Sequence, residues 1–179
     1  MPNPWQVGLT SWNLSAYEPN QVFLNLGEER FIEIGYLTGG DSDGDGRGAL
    51  VADLNGDLQP DLIVRQSGGG PLRVYANRFP SASRLVVSLE GTTSNRLGIG
   101  ATVVAEVGAR KIVRQLFPTN NFLVTQASQV EFGLGTAPQV DKLTVRWPSG
   151  PSQELRDVPA GMHIRITEGK AEVAVLGKK

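Results

Sequence analysis

The chain contains no cysteine. Disulfides, thiolate zinc sites and cysteine nucleophiles are thereby excluded, while the compartment stays open. Histidine is almost as scarce: His163 is the only one, so no site can draw on two imidazoles. A charge of one sign is missing too, because 17 Lys and Arg face 18 Asp and Glu and leave a net charge of -1. Nucleic-acid binding needs a clustered basic surface and a membrane patch needs a polybasic run, so neither partner is expected. No apolar run approaches the roughly 18 residues of a membrane helix, and membrane insertion is not expected. Met1-Pro2-Asn3-Pro4-Trp5 has no basic region leading into an apolar one, so no signal peptide is visible.

What the sequence has is punctuation. Across 179 residues, 22 glycines and 11 prolines separate short runs rich in Val, Ile, Leu, Thr and Phe. With 40% hydrophobic residues the chain is long enough to bury a core. Such runs, alternating or breaking too soon for a helix, predict an all-β fold. Gln21–Leu26 and Arg30–Ile34 read as a hairpin around Gly27-Glu28-Glu29. Ala49–Ala52, Asp61–Arg65 and Leu72–Asn77 read as three strands of one antiparallel unit. After Phe79-Pro80-Ser81-Ala82 the acidic character ends, which places a domain boundary between residues 82 and 83. Beyond it, strands are expected at 84–89, 101–107, 111–117, 129–132, 142–147 and 162–167. Short strands with regular turns predict a small antiparallel sandwich or open barrel.

Between the first two strands of the antiparallel unit lies Asp53-Leu54-Asn55-Gly56-Asp57-Leu58-Gln59-Pro60-Asp61. Oxygen-bearing side chains fall at positions 1, 3, 5 and 9 of this loop, with a glycine at 4. Calcium takes about six to eight oxygens, and alternate residues of a tight loop deliver them, with the Gln59 carbonyl at position 7. Three carboxylates so close repel one another unless a cation neutralises them. Calcium is therefore the expected ion, held by Asp53, Asn55, Asp57, Gln59 and Asp61 with an affinity on the order of micromolar to millimolar. An ordinary polar turn is the alternative. Asp41, Asp43 and Asp45 repeat the 1, 3, 5 spacing, but Ala49 and Ala52 stand where closing ligands would be. They form a weaker second site or a solvated acidic turn.

Residues Gly46–Asp53 and Asp61–Val64 resemble an FG-GAP, or VCBS-type, repeat. That resemblance implies a blade of an integrin-like β-propeller with calcium in its loop. The second half resembles the ASPIC/UnbV domain of cartilage-acidic-protein-like chains. The carrying residues are Gly91-Thr92-Thr93-Ser94-Asn95-Arg96-Leu97-Gly98-Ile99-Gly100-Ala101, Phe132-Gly133-Leu134-Gly135, Arg146-Trp147-Pro148-Ser149-Gly150 and Asp157-Val158-Pro159-Ala160. Together these imply residues 1–82 as a blade region, with one complete repeat and the tail of another, and 83–179 as an ASPIC/UnbV-like β domain. A closed propeller needs about four or more blades, so this chain alone does not form one. The family setting implies an extracellular or periplasmic location.

The remaining candidates each carry a plain structural reading. Trp147 caps the core or stacks on a sugar. His163 packs in its strand. Asn95 and Arg96 fix a turn or contact a ligand, and Gly98-Ile99-Gly100 is a tight sheet turn, since no third glycine or helix follows. Arg47 clamps a neighbouring loop or is simply exposed. Glu131 and Glu154 make a glycosidase-like pair only if the fold joins them. Asn13-Leu14-Ser15 is a glycosylation sequon. The resulting expectation is a non-enzymatic, calcium-binding adhesion or protein-interaction module. Its expected partner is a protein, an extracellular-matrix or cell-surface component, or a second copy paired through open sheet edges or strand exchange. The alternatives are a carbohydrate-binding module or glycan-acting enzyme, and a structural fragment of a larger propeller protein.

Overall fold

The structure, a computed structural model, describes residues 18–44, 46–66, 70–119, 122 and 124–178. Asn13 of the sequon and Asp45 of the acidic loop lie outside the described residues.

The chain is nearly all β. β1 (Phe23–Gly27) and β2 (Arg30–Glu33) pair antiparallel as a hairpin. Its turn residues Glu28 and Glu29 both take left-handed backbone, with φ 51° and 59°. Two successive positive φ values define the turn whose twist matches the flanking strands. A single helical turn, α1 (Gly35–Thr38), follows and ends at Gly39 with φ 67°. Four residues carry no readable periodicity, so this helix was not expected. β3 (Gly46–Ala52), β4 (Asp61–Gln66) and β5 (Arg73–Tyr75) form a three-stranded sheet in that order. These are the strands expected on either side of the acidic loop, with β3 starting three residues early.

The rest is a sandwich of two four-stranded sheets. One has the order β11 (Ser152–Pro159), β10 (Gln139–Arg146), β7 (Thr102–Val107), β8 (Arg110–Gln115). The other has β13 (Val173–Lys178), β12 (Met162–Thr167), β6 (Ser83–Glu90), β9 (Gln129–Gly135). The antiparallel expectation holds at every recorded pairing but one: β6 and β12 run parallel, with Leu85 opposite Met162 and Leu89 opposite Ile166. Parallel neighbours need a long crossover, and β7–β11 provide it. β11 and β13 were not expected. β11 carries only Leu155 and Val158 as large apolar residues, and β13 is an edge strand interrupted by Gly177.

Strand alternation builds the core. Leu85, Val87 and Leu89 of β6 point inward with Ile164 and Ile166 of β12, and Val103, Ala105 and Leu143 do so from the opposite sheet. Among the described residues every buried apolar side chain except Ile34 lies between Leu85 and Ile166. Each such Leu, Ile, Val or Phe contributes about 1.5–3 kcal/mol of burial. The molecule divides into two compact units, Met1–Leu50 with Leu62–Tyr75 and Val51–Asp61 with Ala76–Lys179. The acidic loop is thus grouped in space with the sandwich rather than with the strands that flank it.

Candidate functional site

The acidic loop is curled by its own side chains. Asp53 Oδ1 accepts the N–H groups of Gly56 at 2.8 Å and Asp57 at 3.1 Å, and its Oδ2 accepts that of Leu58 at 2.8 Å. Asn55 Oδ1 accepts the Asp57 N–H at 3.0 Å, while Asn55 Nδ2 donates to Asp57 Oδ2 at 3.2 Å. Asp57 Oδ1 accepts the Gln59 N–H at 2.7 Å. Short Asx side chains bonding to backbone two residues ahead, as Asn55 and Asp57 do, favour such turns. Two residues take left-handed backbone, Gly56 at φ 77° and Leu58 at φ 60°. Glycine does so freely, but a leucine does so against the Cβ clash that disfavours this region.

Asp61 closes the loop from β4. It is 4% exposed, and its oxygens accept N–H groups from both sides: Leu54 at 3.2 Å and Asn77 at 2.8 Å. Asn77 Nδ2 returns a bond to the Pro60 carbonyl at 3.1 Å. A buried carboxylate so engaged is not left unpaired, which would be costly. At the other end, the Arg84 guanidinium donates to the Leu58 carbonyl. The four oxygen-bearing side chains expected from the sequence therefore share one curled loop, and Gln59 contributes backbone.

The donor set fits a hard cation, because it offers carboxylate, amide and carbonyl oxygens and no nitrogen or sulfur. Asp53 Oδ1 accepts two N–H groups, whereas Asp53 Oδ2, Asn55 Oδ1 and both Asp61 oxygens each accept one N–H and keep a second lone pair. As they stand, the carboxylates turn toward loop N–H groups, and among the described residues no group of three or more His, Cys, Asp and Glu side chains is arranged to hold a metal ion. In the other acidic loop, Ser42 rather than the aspartates makes the recorded bonds: its Oγ accepts from the Gly44 N–H and from Gln66 Nε2 at 3.1 Å, and its carbonyl accepts the Asn20 N–H. Asp43 is exposed and Asp41 half-buried.

In the sandwich the structure reveals a residue that sequence reasoning missed. Glu168, at the end of β12, is 6% exposed. Its Oε2 accepts the N–H groups of Thr92, Thr93 and Ser94, each at 2.8 Å. Its Oε1 accepts the hydroxyls of Ser94, at 2.9 Å, and Ser149. Burial pushes the carboxyl pKa upward, but the Ser149 hydroxyl and the Ser94, Thr92 and Thr93 amides outweigh it and bring the pKa down to about 2. One carboxylate thus pins the loop after β6 and the β10–β11 turn to the end of β12. The signal for it was the Thr92-Thr93-Ser94 run, read only as a family motif. With five donors already bound, Glu168 is a structural post.

The other candidates resolve individually. Asn95 fixes its turn, donating to the Ile99 carbonyl at 2.7 Å and accepting the Ile99 N–H at 3.0 Å, and the Arg96 carbonyl accepts the Gly91 N–H. Gly98 has φ 66°, and a Cβ there would press on Leu89 at 2.6 Å, so this glycine pair is a sheet turn. Trp147 is buried in the core, which removes the sugar-stacking alternative. The Glu131–Glu154 pair does not form: Glu131 lies on β9 beside Arg84 at 3.7 Å, and Glu154 on β11 of the other sheet beside Lys142 at 3.5 Å. His163 Nε2 lies 2.8 Å from Ser88 Oγ, and burial together with Arg165 lowers its pKa against the pull of Glu131.

Fold and site thus define an all-β chain built on a two-sheet sandwich held by a buried carboxylate post. Residues 91–173 match the family described as ASPIC and UnbV. That match runs from the loop after β6 to the first residue of β13. Among curated proteins none matches the chain. No helix among the described residues is long and apolar enough to cross a membrane.

Proposed function

We propose that this chain is a non-enzymatic interaction module of an extracellular or periplasmic setting, in which the 53–61 loop is an FG-GAP-type calcium loop. The observation that carries this reading is the loop itself: four oxygen-bearing side chains in nine residues, curled by Asp53, with Asp61 buried at its base. Asp53, Asn55, Asp57 and Asp61 with the Gln59 carbonyl would hold the ion. Bound calcium would neutralise the carboxylates and set the loop's conformation. Interaction is supported by the exposed apolar residues of the hairpin, Phe23, Leu26, Phe31 and Ile32. A bare two-stranded hairpin is at best marginally stable in water, and open edges invite pairing. The partner is a protein or matrix surface, or a second copy of this chain.

A thermal melt with calcium and again with chelator tests the metal. At free calcium about 100-fold above the dissociation constant, binding stabilises by roughly 2.7 kcal/mol, and Asp57→Ala loses most of that shift. Identical melts for the parent chain in calcium and chelator overturn the calcium reading. Light scattering checks the dimer: a monomer at every concentration removes the second copy as partner.

A further inference from the structure

We propose that Arg84 of β6 is a positioning residue for the 53–61 loop, acting on Asp57 through a single peptide plane. This rests on the calcium reading for its ligand, but the geometry is independent of it. The Arg84 side chain is 20% exposed and lies 3.7 Å from the Glu131 carboxylate. Its Nη1 donates to the Leu58 carbonyl. In a trans peptide the C=O and the following N–H point in opposite directions. Holding the Leu58 carbonyl toward Arg84 therefore turns the Gln59 N–H the other way, and that N–H donates to Asp57 Oδ1 at 2.7 Å. Glu131, Arg84, the 58–59 peptide and Asp57 form one relay from the sandwich to a proposed calcium ligand.

The backbone gives this relay its purpose. Leu58 sits at φ 60°, a conformation unfavourable for any residue with a Cβ. Left to itself the peptide would relax and Asp57 would lose its amide partner. The Gln59 carbonyl, a further proposed ligand, lies on the next peptide, which the fixed Gln59 N–H adjoins. Glu131 offsets the guanidinium charge, so the latch brings little net repulsion to a nearby cation. Because coupling is reciprocal, an ion that orders the loop also stabilises the start of β6.

The test uses the full chain, calcium alone as probe, and two readouts: calorimetric titration and amide hydrogen exchange at Leu58 and Gln59. Arg84→Met keeps the aliphatic stem and removes the donors. It is expected to speed exchange at Gln59 and to weaken calcium binding, each by about tenfold, as loss of a charge-assisted hydrogen bond implies. Arg84→Lys, with one donor and the charge kept, falls between. Removing a positive charge would by electrostatics alone tighten calcium binding, so unchanged or tighter binding in Arg84→Met overturns the positioning role. Parent-like exchange at Gln59 in both variants overturns it as well, and Arg84→Lys alone decides if Arg84→Met does not fold. A parent chain that ignores calcium while Arg84→Met speeds Gln59 exchange sinks the calcium reading and leaves the latch standing.

Discussion

The sandwich and the β1–β5 region are both built from short strands, yet they are held together differently. In the sandwich, alternate residues meet a second sheet, and Leu85, Val87, Phe132, Leu143 and Ile166 have no exposure left. Among the described residues of the β1–β5 region the same alternation builds no comparable core, and Phe23, Phe31, Tyr36 and Val74 remain more than half exposed. Local geometry there is nonetheless well specified: a hairpin turn with paired positive φ values and a helix stopped by Gly39. Hydrogen bonds shape a strand, but net stability comes mostly from buried apolar surface. Among the described residues, one region is held by a buried apolar core and the other by local turns and hydrogen bonds.

The sharpest way to break this contrast is a matched pair of truncations. Phe132→Ala empties a fully buried site and should cost about 3–5 kcal/mol, whereas Phe31→Ala, at 61% exposure, should stay within about 0.5 kcal/mol. Urea unfolding checks both, and comparable costs would abolish the distinction. Next in size is Glu168→Gln, which loses the charge that five donors address and puts an amide N–H₂ among them. Its melting temperature should fall, and its acid profile should change with it. A carboxyl with a depressed folded pKa contributes stability fully above its ordinary range and loses it as pH falls toward the folded value, here about 2. The parent chain should therefore weaken between about pH 4.5 and pH 2, and Glu168→Gln should show a flatter profile over that window. A steep profile in the variant would assign acid sensitivity to other carboxylates.

Smaller effects sharpen the same contrast. Asn95→Ala removes two hydrogen bonds from an exposed turn of the sandwich and should cost about 1 kcal/mol, read by the same urea titration. Replacing Glu28-Glu29 by Asn-Gly should stabilise the hairpin by about 0.5–1 kcal/mol, because both positions need positive φ. Hydrogen exchange should show slower opening of β1 and β2 with no change in β6 or β7. A change spread through the sandwich would mean that the two units open together.

Much of this was readable in the residues. The strands of both regions announced themselves by apolar runs between glycines and prolines, and the 53–61 loop by the spacing of its acids. Asn95 was legible as a turn residue because its side chain bonds within four residues of itself. Glu168 was not, because its three amide donors lie on a loop more than seventy residues earlier and its Ser149 donor on another turn. For the same reason the parallel pairing of β6 with β12 escaped notice: nothing local to either strand encodes its direction against the other. β11 was hidden by its polar composition, since half of a strand that faces water carries little signal.

The sequence by itself determined the all-β class, the positions of most strands, the acidic loop and the absence of cysteine chemistry, because these follow from composition and from interactions within a few residues. Only the tertiary structure decided which strands share a sheet, that Glu131 and Glu154 stand in different sheets, that Trp147 is core, and that the acidic loop is tied through Arg84 and Asn77 to the unit containing the sandwich. Those outcomes depend on contacts between distant segments, which form only when burial of the two inner faces brings the segments together.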